Sequence, residues 1–106
     1  MLFFLVAAHA LCDYPLQGDF LAKAKDRNTD IGKIFWPHAL GAHSMIHGGA
    51  VALITGSVGL GVAEVVAHAI TDFLKCEKRI SLNVDQAIHL ICKAVWAGIA
   101  TGLAVS

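Results

Sequence analysis

Charge is scarce in this sequence. Asp, Glu, Lys and Arg make up 15% of the 106 residues, their formal charges cancel to zero, and hydrophobic residues make up 57%. A soluble domain of this size leaves much of its surface in water and normally carries more charge. The mean hydropathy of +0.66 therefore favours a membrane protein. A soluble helical bundle, the alternative, would need an oligomer to bury its apolar outer faces.

The sequence also lacks paired cysteine motifs and the features of a secretory leader. Cys12, Cys76 and Cys92 form no C-x-x-C pair, which argues against a disulfide framework and against a thiolate zinc finger. No basic residue precedes the first apolar run, "MLFFLVAA", and no small-x-small cleavage site lies in a suitable place. We therefore expect this run to belong to the mature protein rather than to a secretory leader.

Four apolar segments account for most of the chain, at residues 1–17, 35–57, 58–75 and 83–105. Each is close to the ~20 residues that cross a hydrocarbon core. The sequence therefore predicts an all-α fold, a four-helix transmembrane bundle in which residues 1–106 form a single integral membrane domain.

The basic residues predict an orientation. Seven of the eight lie in two connections, residues 23–33 and 75–79, whereas the connection "TGSVGLG" contains none. Basic connections favour the cytoplasmic side of a membrane. We therefore expect a multi-pass protein of the bacterial inner membrane with both termini in the periplasm.

The chain also contains an internal repeat. "AHALCDY" in the first segment recurs as "AHAITDF" in the third, and "HSMIH" in the second corresponds more loosely to "DQAIH" in the fourth. Two helical hairpins of one pattern would therefore pack around an approximate two-fold axis.

Eight ligand-type side chains occur as i, i+4 pairs, one pair in each segment. They are His9 and Asp13, His43 and His47, His68 and Asp72, and Asp85 and His89. Residues four apart share a helix face, so each segment offers two side chains to one place in a bundle core. A charged side chain at membrane depth costs roughly 2.5 to 3.5 kcal/mol, and a divalent cation compensates several carboxylates at once.

Imidazole and carboxylate donors suit a divalent transition metal, zinc most of all, with iron, manganese and nickel as alternatives. Eight donors exceed the four of one tetrahedral zinc, which favours two ions, or one ion with a surrounding layer of supporting residues. A metal-free alternative stays open, because carboxylates and imidazoles can satisfy one another in a structural hydrogen-bond network.

Four polar residues receive more specific roles. Asp13 and Asp85 are candidate catalytic carboxylates that would accept a proton from an activated water. Gln17 and Gln86 are candidates to support the bound cofactor from outside the ligand set.

Two charged residues allow alternatives. Lys93, one turn after His89, is a candidate catalytic residue that neutralises an anionic substrate, or it pairs with a ligand carboxylate. Glu64, one turn before His68, is either an interior acid or a solvated residue near the turn.

The ordered motifs resemble a known family. The residues His9-x3-Asp13-x3-Gln17, His43-x3-His47, His68-x3-Asp72-x2-Lys75 and Asp85-Gln86-x2-His89 resemble the pattern of a bacterial and phage membrane family known as domain of unknown function 3307. The resemblance covers nearly the whole chain and implies a small integral membrane protein without an established activity. In architecture and His/Asp content the chain is also similar, more loosely, to bacterial inner-membrane metal-dependent hydrolases.

Three functions follow as hypotheses. The first is a metal-dependent hydrolase acting on a phosphoester or lipid-linked substrate at the cytoplasmic face, where the basic connections would attract an anionic headgroup. The second is a metal-ion transporter, and the third is a phage-encoded membrane interaction protein with a structural metal. We expect the lipid bilayer as a partner, regard a homo-oligomer as compatible with so small a bundle, and expect no nucleic-acid partner.

Overall fold

The computed structural model describes the backbone of residues 1–105 and the side chains of residues 1–102. Residue 106, the last of the predicted domain, lies outside the described residues. The chain forms five helices: α1 (Leu2–Asp13), α2 (Gly18–Ala24), α3 (Gly32–Thr55), α4 (Val58–Cys76) and α5 (Leu82–Val105). No strand occurs in residues 1–105, and the predicted all-α class is confirmed.

The number of helices differs from the predicted four. The first predicted segment, residues 1–17, stops being helical at Asp13, because a residue before proline disfavours the helical backbone and Pro15 follows at once. The seven-residue α2 then lies in the basic connection. This helix is too short and too polar to stand out as an apolar segment. Helices α4 and α5 agree with the predicted segments to within a residue.

Helices α3 and α4 make the most extensive helix–helix contact of the fold. A two-residue turn joins them, in which Gly56 has a positive φ of 71° and the Ser57 Oγ accepts a hydrogen bond from the Leu60 N–H at 3.2 Å. Gly48 and Gly61 face each other across the contact. A Cβ built on Gly48 would lie 2.7 Å from the carbonyl oxygen of Gly61, and one on Gly61 would lie 2.8 Å from that of Gly48. The two backbones therefore touch where neither residue has a side chain.

The interior is divided into an apolar part and a polar part. The apolar part consists of buried Leu5, Val51 and Leu60, against which Ile54 and Trp96 pack. The polar part is larger. Its buried members are His9, Lys25, His43, Ser44, His47, Glu64, His68, Thr71, Asp72, Asp85, His89 and Lys93. Because burying a charge is costly unless a partner compensates it, these groups must pair with one another or with a bound ion.

The exterior, by contrast, is largely apolar. Phe3, Leu53 and Val58 are 76%, 86% and 76% exposed, and many other large hydrophobic residues lie on the same outer surface. Among the helices of residues 1–105, none combines the length and the apolar character that crossing a membrane requires. The predicted transmembrane spans are therefore not found in these helices.

The glycine contact between α3 and α4 generates a stability prediction. Gly48→Ala should lower the free energy of unfolding by about 1–3 kcal/mol, because the added methyl group overpacks two touching backbones. Gly49→Ala is the matched control, since a Cβ at Gly49 meets nothing within 4 Å. The control should be neutral or raise stability by about 0.5–1 kcal/mol through better helix propensity. Thermal unfolding followed by circular dichroism measures both changes, and equal stability of the two variants would contradict the packing argument.

Candidate metal centre

Four donor groups from three helices converge in the polar interior. Asp13 is the last residue of α1, His43 and His47 lie one turn apart on α3, and His68 lies on α4. The Asp13 Oδ1 lies 2.9 Å from the Nε2 of His47, 3.2 Å from the Nε2 of His43 and 4.0 Å from the Nε2 of His68. One donor atom from each residue lies within 4.8 Å of all the others.

These separations fit a tetrahedral metal ion. Metal–ligand bonds of about 2.0–2.2 Å place the ligand atoms of a tetrahedral zinc site roughly 3.3–3.5 Å apart. The distances from Asp13 to the three imidazoles bracket this value. The His68 Nε2 is buried, faces two carboxylates and has no hydrogen-bond partner in the described part of the chain. A cation between these groups would satisfy it, and three imidazoles with one carboxylate are ligands that zinc accepts.

The protonation states also suit metal binding. Burial lowers the pKa of His47 to about 4 and that of His68 to about 3, against the opposing effects of Asp13 and Glu64 respectively. Burial alone would raise the pKa of Asp13, but hydrogen bonds from His43, His47 and Gln86 hold it far below its usual range. At neutral pH His47 and His68 are therefore neutral and the carboxyl group is ionised, and a metal ion would take the place of the Nε2 protons that Asp13 accepts from His43 and His47.

Asp72 connects the four donors to a pair of lysines. Its Oδ2 lies 3.7 Å from the Nε2 of His43 and 3.9 Å from the Nε2 of His68. The same oxygen accepts a hydrogen bond from the Lys25 Nζ at 2.7 Å, and its other oxygen lies 3.2 Å from the Lys75 Nζ. Lys25 is buried, although it lies in a basic connection that the sequence predicted on the cytoplasmic side. Two ammonium groups thus lie beside the candidate centre.

Gln17 holds Lys25 in this place. Its Oε1 accepts a hydrogen bond from the Lys25 Nζ, and its Nε2 donates to the main-chain oxygen of Asp13 at 3.1 Å. The side chain of Gln17 therefore links α2 to the end of α1 and contacts the main chain of the candidate ligand Asp13.

Gln86 organises the other side of the cluster. Its Nε2 donates to the Asp13 Oδ2 at 3.0 Å and to the Asp85 Oδ2 at 3.2 Å, and its Oε1 lies 3.0 Å from the His9 Nε2. The Oδ1 of Asp85 lies 3.2 Å from the Nε2 of His89. His9, Asp85 and His89 thus surround the four-donor group, and His9 also contacts the Asp13 Oδ2 at 3.3 Å.

Glu64, Lys93 and Trp96 close the end of the cluster next to the apolar core. The Lys93 Nζ donates to the Glu64 Oε1 at 2.6 Å and the Trp96 Nε1 donates to the Glu64 Oε2 at 2.7 Å. Burial would raise the pKa of Glu64, but His68, Lys93 and Trp96 outweigh it and lower the pKa to about 2. Lys93 therefore pairs with a carboxylate, the alternative that the sequence left open, and Glu64 is interior.

The structure thus brings all eight predicted ligand residues into one contiguous cluster. Asp13, His43, His47 and His68 form one candidate ligand group, and Glu64, His68 and His89 form a second. Sequence reasoning missed Lys25 and Trp96. The burial of Lys25 depends on how the short helix α2 packs against the other helices, and no local sequence pattern predicts that packing. Trp96 lies about two turns beyond His89, where its indole N–H could have been matched to an interior acid.

A family described as "Protein of unknown function (DUF3307)" matches residues 1–105 of the chain. No curated protein and no solved structure matches the chain significantly.

The four-donor geometry predicts the effect of neutralising Asp13. Asp13→Asn should lower the affinity for zinc by about 100-fold or more, because second-layer changes alone cost 10- to 100-fold and this change removes a ligand charge. Zinc at 100 times its Kd should stabilise the wild-type protein by about 2.7 kcal/mol and the variant hardly at all. Elemental analysis and thermal unfolding with and without zinc measure the two effects.

The exposed Asp19 on α2 provides the control. Asp19→Asn should bind zinc as the wild-type protein does. Equal zinc affinity in both variants would exclude Asp13 as a ligand.

Proposed function

Because this chain belongs to the DUF3307 family, whose description gives no function, we propose its function from the site: a metal-dependent hydrolase that acts on a phosphoester or lipid-linked substrate. One observation carries this proposal. A group of three imidazoles and one carboxylate with metal-ligand spacing lies beside two lysines. Asp72 connects the two, because it lies close to His43 of the group and pairs with both Lys25 and Lys75.

Asp13, His43, His47 and His68 would hold the metal. A divalent ion such as zinc, when bound there, supplies Lewis acidity and lowers the pKa of a coordinated water toward 7. Iron, manganese or nickel would fit the same donor types. The remaining residues of the cluster bind, orient or accept protons around this group.

The charge balance of the site supports an anionic substrate. The charged groups in and around it are the carboxylates of Asp13, Glu64, Asp72 and Asp85 and the ammonium groups of Lys25, Lys75 and Lys93. With neutral imidazoles this set has a net charge of −1. One divalent cation changes the balance to +1, which a single bound anion neutralises. A phosphodiester carries that charge, and the ammonium groups of Lys25 and Lys75, which pair with Asp72, would contact its free oxygens.

Asp85 is the carboxylate best placed to accept a proton. Asp13 belongs to the ligand group, and Asp72 already contacts two lysines. Asp85, by contrast, has an Oδ1 that is buried and lacks a hydrogen-bond partner among the described residues. Gln86 fixes its other oxygen, and His89 lies 3.2 Å from the free one. A proton arriving at Oδ1 would be stabilised by the neighbouring imidazole.

A structural metal is the second candidate. The proposed ligands come from α1, α3 and α4, so one ion would cross-link three helices of a small domain. Metal removal would then cost folding rather than catalysis. Hydrolysis assays on folded, metal-loaded protein separate the two candidates.

We extend the proposal to location, the bacterial inner membrane. The apolar outer surface described above supports contact with lipid, since exposed apolar patches of this extent normally have a partner. In cells that express the protein, it should stay with the membrane fraction after an alkaline carbonate wash. Release into the wash, or a soluble oligomer that covers the same surface, would contradict this location.

The proximity of Lys25 to the ligand group generates a kinetic prediction. Lys25→Met should raise the KM for bis(p-nitrophenyl) phosphate about tenfold, equivalent to ~1.4 kcal/mol of lost substrate binding, because one cation beside the substrate oxygens is gone. Zinc content should stay unchanged, since Lys75 still compensates Asp72. Steady-state kinetics and elemental analysis on the same preparations measure both.

Lys23→Met is the matched control two residues earlier, in the last turn of α2, because Lys23 is exposed. It should leave KM and kcat unchanged. Identical kinetics of the two lysine variants would contradict the proposed hydrolysis of phosphoesters. The absence of zinc-dependent hydrolysis in the wild-type protein would contradict it as well.

A further inference from the structure

A second group of ligand-type residues lies next to the first. Glu64, His68 and His89 are all buried, and one donor atom of each lies within 4.8 Å of the others. His68 belongs to both groups. By composition alone this second group would be the place for a second metal ion, as the excess of donors in the sequence suggested.

A cation already occupies this place. The Lys93 Nζ lies 2.6 Å from the Glu64 Oε1 and both side chains are about 1–2% exposed. The other oxygen of Glu64 accepts the Trp96 N–H. Both carboxylate oxygens are thus engaged by donors of the protein itself, and an incoming metal would have to displace a buried ammonium group into an apolar surrounding.

We propose that Glu64 is a positioning residue that orients His68 for a single metal ion, and that Lys93 takes the cation position of the second group. This inference rests on the proposed metal centre. In this arrangement Glu64 and Lys93 support the proposed ligand His68, and they bind neither the substrate nor a second ion.

The geometry of His68 is the first argument. Its Nδ1 has no hydrogen-bond partner among the described residues, and the nearest carboxylate oxygen to it in these contacts is the Glu64 Oε1 at 3.5 Å. Its Nε2 faces Asp13 and Asp72 at 4.0 and 3.9 Å. An ionised carboxylate only accepts hydrogen bonds, so it favours a proton on the Nδ1 and leaves the Nε2 lone pair for a metal. A carboxylate behind a metal-bound imidazole commonly fixes the tautomer and the ring orientation in this way.

The charge balance is the second argument. One divalent ion changes the net charge of the cluster from −1 to +1, which one bound anion neutralises. A second divalent ion would add two further positive charges beside Lys93 without a carboxylate to compensate them. Uncompensated buried charge is strongly unfavourable.

The internal repeat is the third argument and supplies the test. The repeat places Leu5 at the position of Glu64 and Val51 at the position of Lys93, and these two apolar residues are buried in the core. One hairpin therefore fills these positions with an apolar pair and the other with an ion pair. Since the apolar solution already exists in this fold, the ion pair is not required for packing, which points to a role toward His68.

The experiment compares two double variants of the full chain in zinc titration calorimetry. Glu64→Leu with Lys93→Val copies the other hairpin and leaves no unpaired charge, so it should fold. Glu64→Gln with Lys93→Gln removes the charges but retains an oxygen that can accept the His68 N–H. The wild-type protein should bind one zinc ion per chain. The Leu/Val variant should bind one ion 10- to 100-fold more weakly, and the Gln/Gln variant should recover most of that loss.

Nitrogen-15 NMR of the zinc-loaded wild-type protein reads the His68 tautomer directly. A proton on Nδ1 and a metal on Nε2 support the inference, and the reverse arrangement overturns it. Two zinc ions per wild-type chain, or unchanged zinc affinity in the Leu/Val variant, also overturn it. If the wild-type protein binds no zinc, both the metal centre and this inference are wrong. If it binds one zinc ion but hydrolyses no phosphoester, only the proposed hydrolase activity is wrong.

Discussion

The structure depends on ionised carboxylates that lie buried among imidazoles. Asp13 is contacted by His9, His43, His47 and Gln86, and the last three of these contacts join the end of α1 to α3 and α5. Removing a carboxylate from water is costly unless donors or cations replace the lost hydration. The small apolar core could not hold five helices around such a centre if these contacts were poor. The buried Lys25 compensates Asp72, and Lys93 compensates Glu64.

The sequence was informative where local geometry decides the outcome. The eight residues that the i, i+4 spacing singled out lie in one cluster, because side chains four apart on a helix share a face. Apolar runs located α3, α4 and α5. The spacing did not distinguish the two ligand groups, since that depends on how helices rotate against each other. It also missed α2, whose seven residues carry too little periodicity, and with it the burial of Lys25.

The internal repeat explains why the site is not symmetric. Both hairpins contribute an i, i+4 pair from each helix, but the positions one turn further into the bundle differ, with Leu5 and Val51 in one hairpin and Glu64 and Lys93 in the other. The donor pairs also differ, because α3 offers His43 and His47 where α5 offers Asp85 and His89. Similar halves of a chain need not perform similar chemistry, because a single pair of substitutions changes the charge and the hydrogen-bond acceptors next to the ligand-type residues.

The contact between Gly48 and Gly61 has a consequence for how this protein can vary. His43, His47 and His68 lie on the two helices that this contact joins, and their relative placement is set by backbone touching backbone. The many apolar side chains on the outside take no part in that spacing. Substitutions on the outer surface can therefore accumulate, and adapt the chain to different surroundings, without moving three of the four donors.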